Sequence, residues 1–224
     1  MVTELDENYK DATLIVETDI QNKSTTNTAF GLEVDVLDEN GRSILNAPLQ
    51  SENETVNTSA VKKLKLTADV ENPKKWSAEF PHLYTILFEL KDETGETLEA
   101  FTKKIGFREV EYKNNILTVN GVPVKLNGVN SHMQHPEHGQ AVPLETLKED
   151  LLIMKQFNIN CVRTSHYPSS PEYVGLADEL GVYIFDEVGD EAHSNIWLSN
   201  EPEWTEMYKD RSRKLVYRDR NHSS

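Results

Sequence analysis

The sequence predicts two fold classes in tandem: an immunoglobulin-like β-sandwich, then an α/β region that forms part of a (β/α)8 barrel. Three observations predict this. Up to about residue 105 apolar residues alternate with period two, the signature of half-buried antiparallel strands. From about residue 108 the pattern becomes strand, helix, strand, helix, which implies parallel pairing through right-handed crossovers. Three of these later strands end in residues fit for chemistry: Gly128 to His132, Val162 to Tyr167 and Tyr183 to Glu187. Polar residues at the C-terminal ends of successive parallel strands are how such a barrel builds an active site. The predicted domains are 1–107 for the sandwich and 108–224 for the barrel portion.

Taken in order, Leu14, Val16, Thr18 and Ile20 share one face of a strand. Phe30, Leu32, Val34 and Val36 do the same, and later Tyr84, Ile86, Phe88 and Leu90. Asp38-Glu39-Asn40-Gly41 and Asp92-Glu93-Thr94-Gly95 fall between such runs and supply the geometry that closes hairpins. About seven short strands in about 100 residues fit the sandwich, and the absence of a Cys…Trp…Cys core excludes an antibody-type domain. Asn120-Gly121 marks a further hairpin turn before the apolar stretch Val124 to Val129. Leu144, Leu147, Leu151 and Met154 then recur at helical spacing. Cys161 and Val162 form a short strand. Pro171 to Leu180 reads as a helix started near Ser170 and stopped by Gly181, and Val182 to Phe185 as a buried strand. Glu203 to Arg220 is a last helix, with Trp204, Met207, Tyr208 and Leu215 on one side.

A length of 224 residues gives one or two domains with ample core. The formal charge of −15 repels phosphates, which argues against nucleic acid or an anionic membrane as partner, whereas a neutral sugar meets no such repulsion. The single cysteine, Cys161, excludes an internal disulfide and a cysteine-ligated zinc site, and its apolar setting makes it core. No apolar run approaches the roughly 20 residues that span a bilayer. The acidic N-terminus is unlike a signal peptide, which leaves cytoplasm and periplasm both open.

His132, His135 and His138 lie three apart, but Pro136 and Gly139 make their segment a loop, so the spacing carries no helical meaning. His132 is the best placed, directly after a strand. A strand-end arginine facing a barrel interior is costly unless paired, so Arg163 predicts an acidic partner. His166 and Tyr167 follow on a loop where sugar hydroxyls could be bound. Asp186-Glu187 ends the third strand. Glu191 and His193, two apart in an extended stretch, point to the same side and suit a divalent cation such as magnesium; an ordinary solvated loop is the alternative on spacing alone. There is no Gly-x-Ser-x-Gly elbow, phosphate-cradling glycine loop or His-Glu-x-x-His.

Together these residues carry a resemblance. Ile105-Gly106-Phe107-Arg108-Glu109-Val110, Asn120-Gly121-x-Pro123, Gly128-Val129-Asn130-x-His132, Arg163-Thr164-Ser165-His166-Tyr167-Pro168 and Asp186-Glu187 resemble glycoside hydrolase family 2. Trp76-Ser77-Ala78-Glu79-x-Pro81-x-Leu83-Tyr84 looks like the end of that family's immunoglobulin-like domain, and the barrel it implies is the TIM barrel. His135-Pro136-x-His138-Gly139-Gln140 and Glu191-x-His193 are similar to its β-galactosidases. The resemblance implies an enzyme that hydrolyses terminal β-galactosides with retention, through two glutamates roughly 5 Å apart. By position, His132 and His166 correspond to histidines that contact substrate and transition state, and Arg163 to an arginine that contacts the nucleophile. Glu187 belongs to the same supporting set. Glu191 and His193 correspond to magnesium ligands, with sodium as a second metal of the whole enzyme.

Tyr217-Arg218-Asp219-Arg220-Asn221-His222 looks like the family segment before the fourth barrel strand. On this reading both catalytic glutamates lie beyond Ser224, and the chain is an excised, inactive piece. A β-glucuronidase or β-mannosidase of the same family, or a non-catalytic carbohydrate-binding or assembly module, are the alternatives. Three βα units would leave an open sheet edge and a half-covered apolar face, which predicts a homo-oligomer or a partly disordered barrel portion.

Overall fold

The computed structural model describes residues 1–224. The chain divides into two compact units, one of Met1–Trp76 and His82–Pro123 with Ser223, the other of Ser77–Pro81 and Val124–His222 with Ser224.

The first unit is built on β1 (Val2–Leu5), β2 (Ala12–Gln21), β3 (Thr28–Leu37), β4 (Leu49–Gln50), β5 (Glu54–Val56), β6 (Val61–Val70), β7 (Tyr84–Lys91) and β8 (Thr97–Ile105). One antiparallel sheet runs β1-β2-β6; the other runs β4-β3-β7-β8, with β5 also paired to β3. The period-two residues do what their spacing demands. Leu14 and Val16 from one sheet meet Phe30, Leu32, Val34, Val36, Ile86 and Phe88 from the other in a single core. Thr18, Ile20 and Leu90, nearer the strand ends, are half-buried. The turn at Gly41 (φ 73°) is held by Asp38 Oδ1, which accepts from the amides of Asn40 at 2.8 Å and Arg42 at 2.9 Å. Asp92 repeats the device before Gly95, accepting from Thr94 and Glu96.

A small meander follows: β9 (Val110–Lys113), β10 (Ile116–Val119) and β11 (Val122–Pro123), ordered β11-β10-β9. Asn120 (φ 52°) and Gly121 (φ 76°) form its second turn, both left-handed as a two-residue hairpin requires.

The second unit alternates β12 (Gly128–Ser131), α1 (Leu144–Gln156), β13 (Cys161–Thr164), α2 (Pro171–Leu180), β14 (Tyr183–Phe185) and α3 (Thr205–Asp219). The strands form a parallel sheet, β12-β13-β14. Leu147, Leu151 and Met154 of α1 pack with Val162, with Tyr173 and Ala177 of α2, and with Val182. α2 has the bounds its caps predict. Ser170 Oγ accepts from the Tyr173 amide, Pro171 opens the helix, and Gly181 closes it in the left-handed conformation. Cys161 is buried, and burial pushes its thiol pKa up, which suits inert core.

Three local expectations shift. β12 begins only at Gly128, because Asn127 is diverted into contacts with Asn158 and Asn160. Leu144, the first residue of α1, lies short of the packed face and is 49% exposed. α3 starts at Thr205, since Pro202–Trp204 takes a tight 3-10 turn. Met207, Tyr208 and Leu215 on α3 are only half-buried.

Two glycines of the second unit test this account against each other. A Cβ at Gly181 (φ 73°) would sit 2.4 Å from the carbonyl oxygen of Ala78, whereas a Cβ at Gly175, within α2, would meet nothing within 4 Å. In urea denaturation followed through the helical signal, Gly181→Ala is expected to cost about 2 kcal/mol or more. Gly175→Ala is expected to gain about 0.5–1 kcal/mol.

Candidate functional site

The register of the parallel sheet sets Ser131 opposite Thr164 and Arg163 opposite Asn130 and Phe185, so the three C-terminal strand ends share one edge. Val162 and Ile184 pack towards the helices. Alternation therefore turns Asn130, Arg163 and Phe185 to the opposite face.

Arg163 has the acidic partner its position demands, Glu187: Nη2 lies 2.8 Å from Oε2. That oxygen makes no hydrogen bond of good geometry, so the contact is an ion pair rather than an aligned fork. The same Nη2 lies 3.1 Å from His166 Nδ1, which in turn is 3.5 Å from Glu187 Oε1. A guanidinium can only donate, so in a hydrogen bond between the two Nδ1 is the acceptor. The His132 ring stands edge-on to His166, with centroids 5.3 Å apart, and 6.2 Å from Tyr167. His132, Arg163, His166 and Glu187 thus come together from three strand ends.

The loop after β12 is tied back to the unit. Buried Met133 anchors it from below, and the Met133 amide donates to the Tyr167 hydroxyl at 3.2 Å. His135 and His138 stack at 4.7 Å in a turn closed by a bridge between His135 and Gly139. Nδ1 of His135 is engaged by the amides of Glu137 and His138. No three His, Cys, Asp or Glu side chains gather as a metal site. Glu191 Oε1 and His193 Nδ1 lie 4.0 Å apart, and His193 is 89% exposed.

Beneath Glu187 lies a second polar layer. The buried Thr164 hydroxyl accepts from the Glu187 amide at 2.9 Å and donates to Asp186 Oδ1 at 3.2 Å. Burial, then the neighbouring Asp219 carboxylate, pushes the Asp186 pKa up to about 7. Asp219 goes the other way: burial alone would raise it, but Arg218, at 2.8 and 2.6 Å, holds it below the usual range. Asp186 was legible as a strand-end residue. Thr164 and Asp219 lie within the family-like segments Arg163 to Pro168 and Tyr217 to His222, but nothing in the sequence marks them as partners of Asp186. The one signal was a threonine, rather than an apolar residue, at a strand position due for burial.

A hollow of about 380 Å³ lies between Tyr167, Pro168, Gly189 and the α3 side chains Arg211, Lys214 and Arg218. Each of these cations is already paired, with Asp190, Asp210 and Asp219 respectively, so no free positive charge awaits an anion.

Residues 1–108 match the family described as glycosyl hydrolases family 2, and residues 110–224 match the TIM barrel domain of the same family. The chain belongs to glycosyl hydrolases family 2. It is 39% identical to a β-galactosidase of Priestia megaterium over 98% of its own length and 22% of that protein's. It is 44% identical to a β-galactosidase of Pectobacterium atrosepticum over 70% of its own length and 15% of that protein's. The chain therefore spans about a fifth of these relatives or less. A crystal structure of a Bacteroides uniformis β-glucuronidase superposes with a TM-score of 0.86 at 23% identity, covering 99% of this chain and 26% of that one, a likeness of fold. For a family 2 chain the architecture is the expected one, a β-rich domain followed by part of a TIM barrel.

Tyr167→Phe removes the acceptor that holds the histidine loop of this family 2 site. It is expected to cost about 1 kcal/mol and to speed exchange of the Met133 amide while leaving the sheet amides unchanged, as read by urea denaturation and hydrogen exchange.

Proposed function

We propose that this chain supplies part of the active site of a retaining β-galactosidase. The strongest support is the cluster of His132, Arg163, His166 and Glu187 at parallel strand ends, in a chain 39% and 44% identical to two β-galactosidases. His132, exposed above the strand ends, and His166 beside it would contact sugar hydroxyls. Arg163 would orient the nucleophilic carboxylate, with Glu187 holding the guanidinium in place. The galactoside is neutral, which suits a chain of charge −15.

Retaining hydrolysis needs two carboxyl groups about 5 Å apart on opposite sides of the bond. Glu187 is engaged by Arg163, and Glu191 arises from the same strand end, so the two do not make an opposed pair. We assign the nucleophile and the acid/base to the length of the relatives that this chain does not span. The chain alone is then inactive.

Glu191 and His193 offer a divalent cation a carboxylate oxygen and an imidazole nitrogen 4.0 Å apart, although His193 lies in a turn, with the Asn195 amide donating to the Ala192 carbonyl, and not in the extended stretch the sequence predicts. Magnesium there would add positive charge beside the sugar site. Octahedral magnesium takes more donors than this pair provides, so the pair is a partial set.

Assay of an aryl β-galactoside with the purified chain tests this reading. No turnover is expected, with or without magnesium. Magnesium-dependent turnover that survives repurification and is lost in Glu187→Gln or Glu191→Gln would place the chemistry on this chain and overturn the assignment.

A further inference from the structure

We propose that Thr164 and Asp186 are positioning residues for Glu187, and that Asp186 holds Glu187 through the Thr164 hydroxyl only while Asp186 and Asp219 share a proton. The inference rests on the reading of these strand ends as a sugar site, but not on any turnover by this chain.

The geometry carries it. Thr164 is 1% exposed, and its hydroxyl has one proton to give. That proton goes to Asp186 Oδ1, while a lone pair of the hydroxyl oxygen accepts from the Glu187 amide. The backbone of Glu187 is thereby fixed two residues beyond the end of β14, at the point from which its side chain reaches Arg163 and His166. Asp186 is fixed in its turn from α3. Its other oxygen, Oδ2, is buried and receives no hydrogen bond, although the Asp219 carboxylate lies beside it. A buried carboxylate oxygen without a donor is costly, and two adjacent carboxylates repel. Protonating Asp186 removes both problems, because Oδ2–H then donates to Asp219.

Asp219 is the better carboxylate of the two because Arg218 binds it through both Nε and Nη2, and His222 stands nearby. The charged groups around Asp186 are therefore Asp219 and Arg218 from α3, with Glu172 of α2 acting on Arg218, and Glu187 and Arg163 at the strand ends.

The sign follows from linkage. A free aspartate loses its proton near pH 4, whereas folded Asp186 keeps its proton up to about 7. Its contribution to stability is therefore fully present below about pH 4, falls as pH rises from about 4 to about 7, and is gone above that. Asp219, shifted the other way, adds its own dependence only at the acid end of this range.

Hydrogen exchange of the Glu187 amide, followed by NMR on the full chain and corrected for intrinsic rate, tests this. In the parent chain, protection should fall as pH rises from about 4 towards 7 and then level off. Thr164→Val should lower protection about tenfold at acid pH, the equivalent of one hydrogen bond. Thr164→Ser should restore it. Asp186→Asn keeps a neutral group that can donate, so protection should persist and its pH dependence vanish. In Thr164→Val the Arg163 guanidinium signals should also average, as the carboxylate is released. Protection in Thr164→Val equal to that of the parent would overturn the proposal, and so would an unaltered pH profile in Asp186→Asn. None of these readouts involves sugar, so a wrong substrate assignment would leave them standing.

Discussion

The strand ends depend on the pairing of Arg163 with Glu187. A guanidinium carried by a central strand on the side away from the helices has no apolar solution. Glu187 supplies the counter-charge from the neighbouring strand, and the pair draws His166 into contact with both partners. With His132 standing against His166, a patch of charge and imidazole forms without any one segment containing it. The parallel register makes this possible, since a slip of one residue would turn Arg163 towards the helices.

The fold was legible wherever local periodicity met an unambiguous stop. Val34, Val36 and Ile86 are fully buried as their alternation requires, and α2 begins and ends at its Ser170 and Gly181 caps. Legibility failed at positions decided by neighbours distant in sequence. Val124 to Asn127 is apolar enough for a strand, yet Asn127 bonds to the segment after α1 and delays β12 to Gly128. Leu144 has helical spacing but stands at the helix terminus, where no neighbour covers it.

The same division holds for the site. That Arg163 would require a carboxylate follows from its position, and Glu187 meets that requirement. The stacked ring of His138 and the turn at His135 bear out a loop over a three-histidine helix face. The layer beneath was not visible. Thr164 reads as one more β-branched strand residue, and the meeting of Asp186 with Asp219 joins positions 33 apart in sequence that no motif links. Buried polar groups are sited by whatever donor three-dimensional packing delivers, which a linear pattern does not encode.

The most direct test of the central interaction is a double-mutant cycle on Arg163→Met and Glu187→Gln, measured as unfolding free energy near neutral pH. The pair is partly exposed, with side-chain accessibilities of 42% and 24%, so screening limits it. A coupling of about 1 kcal/mol is predicted. Additive single effects, with coupling within about 0.3 kcal/mol of zero, would mean that the two charges are merely neighbours and that something else organises the strand ends.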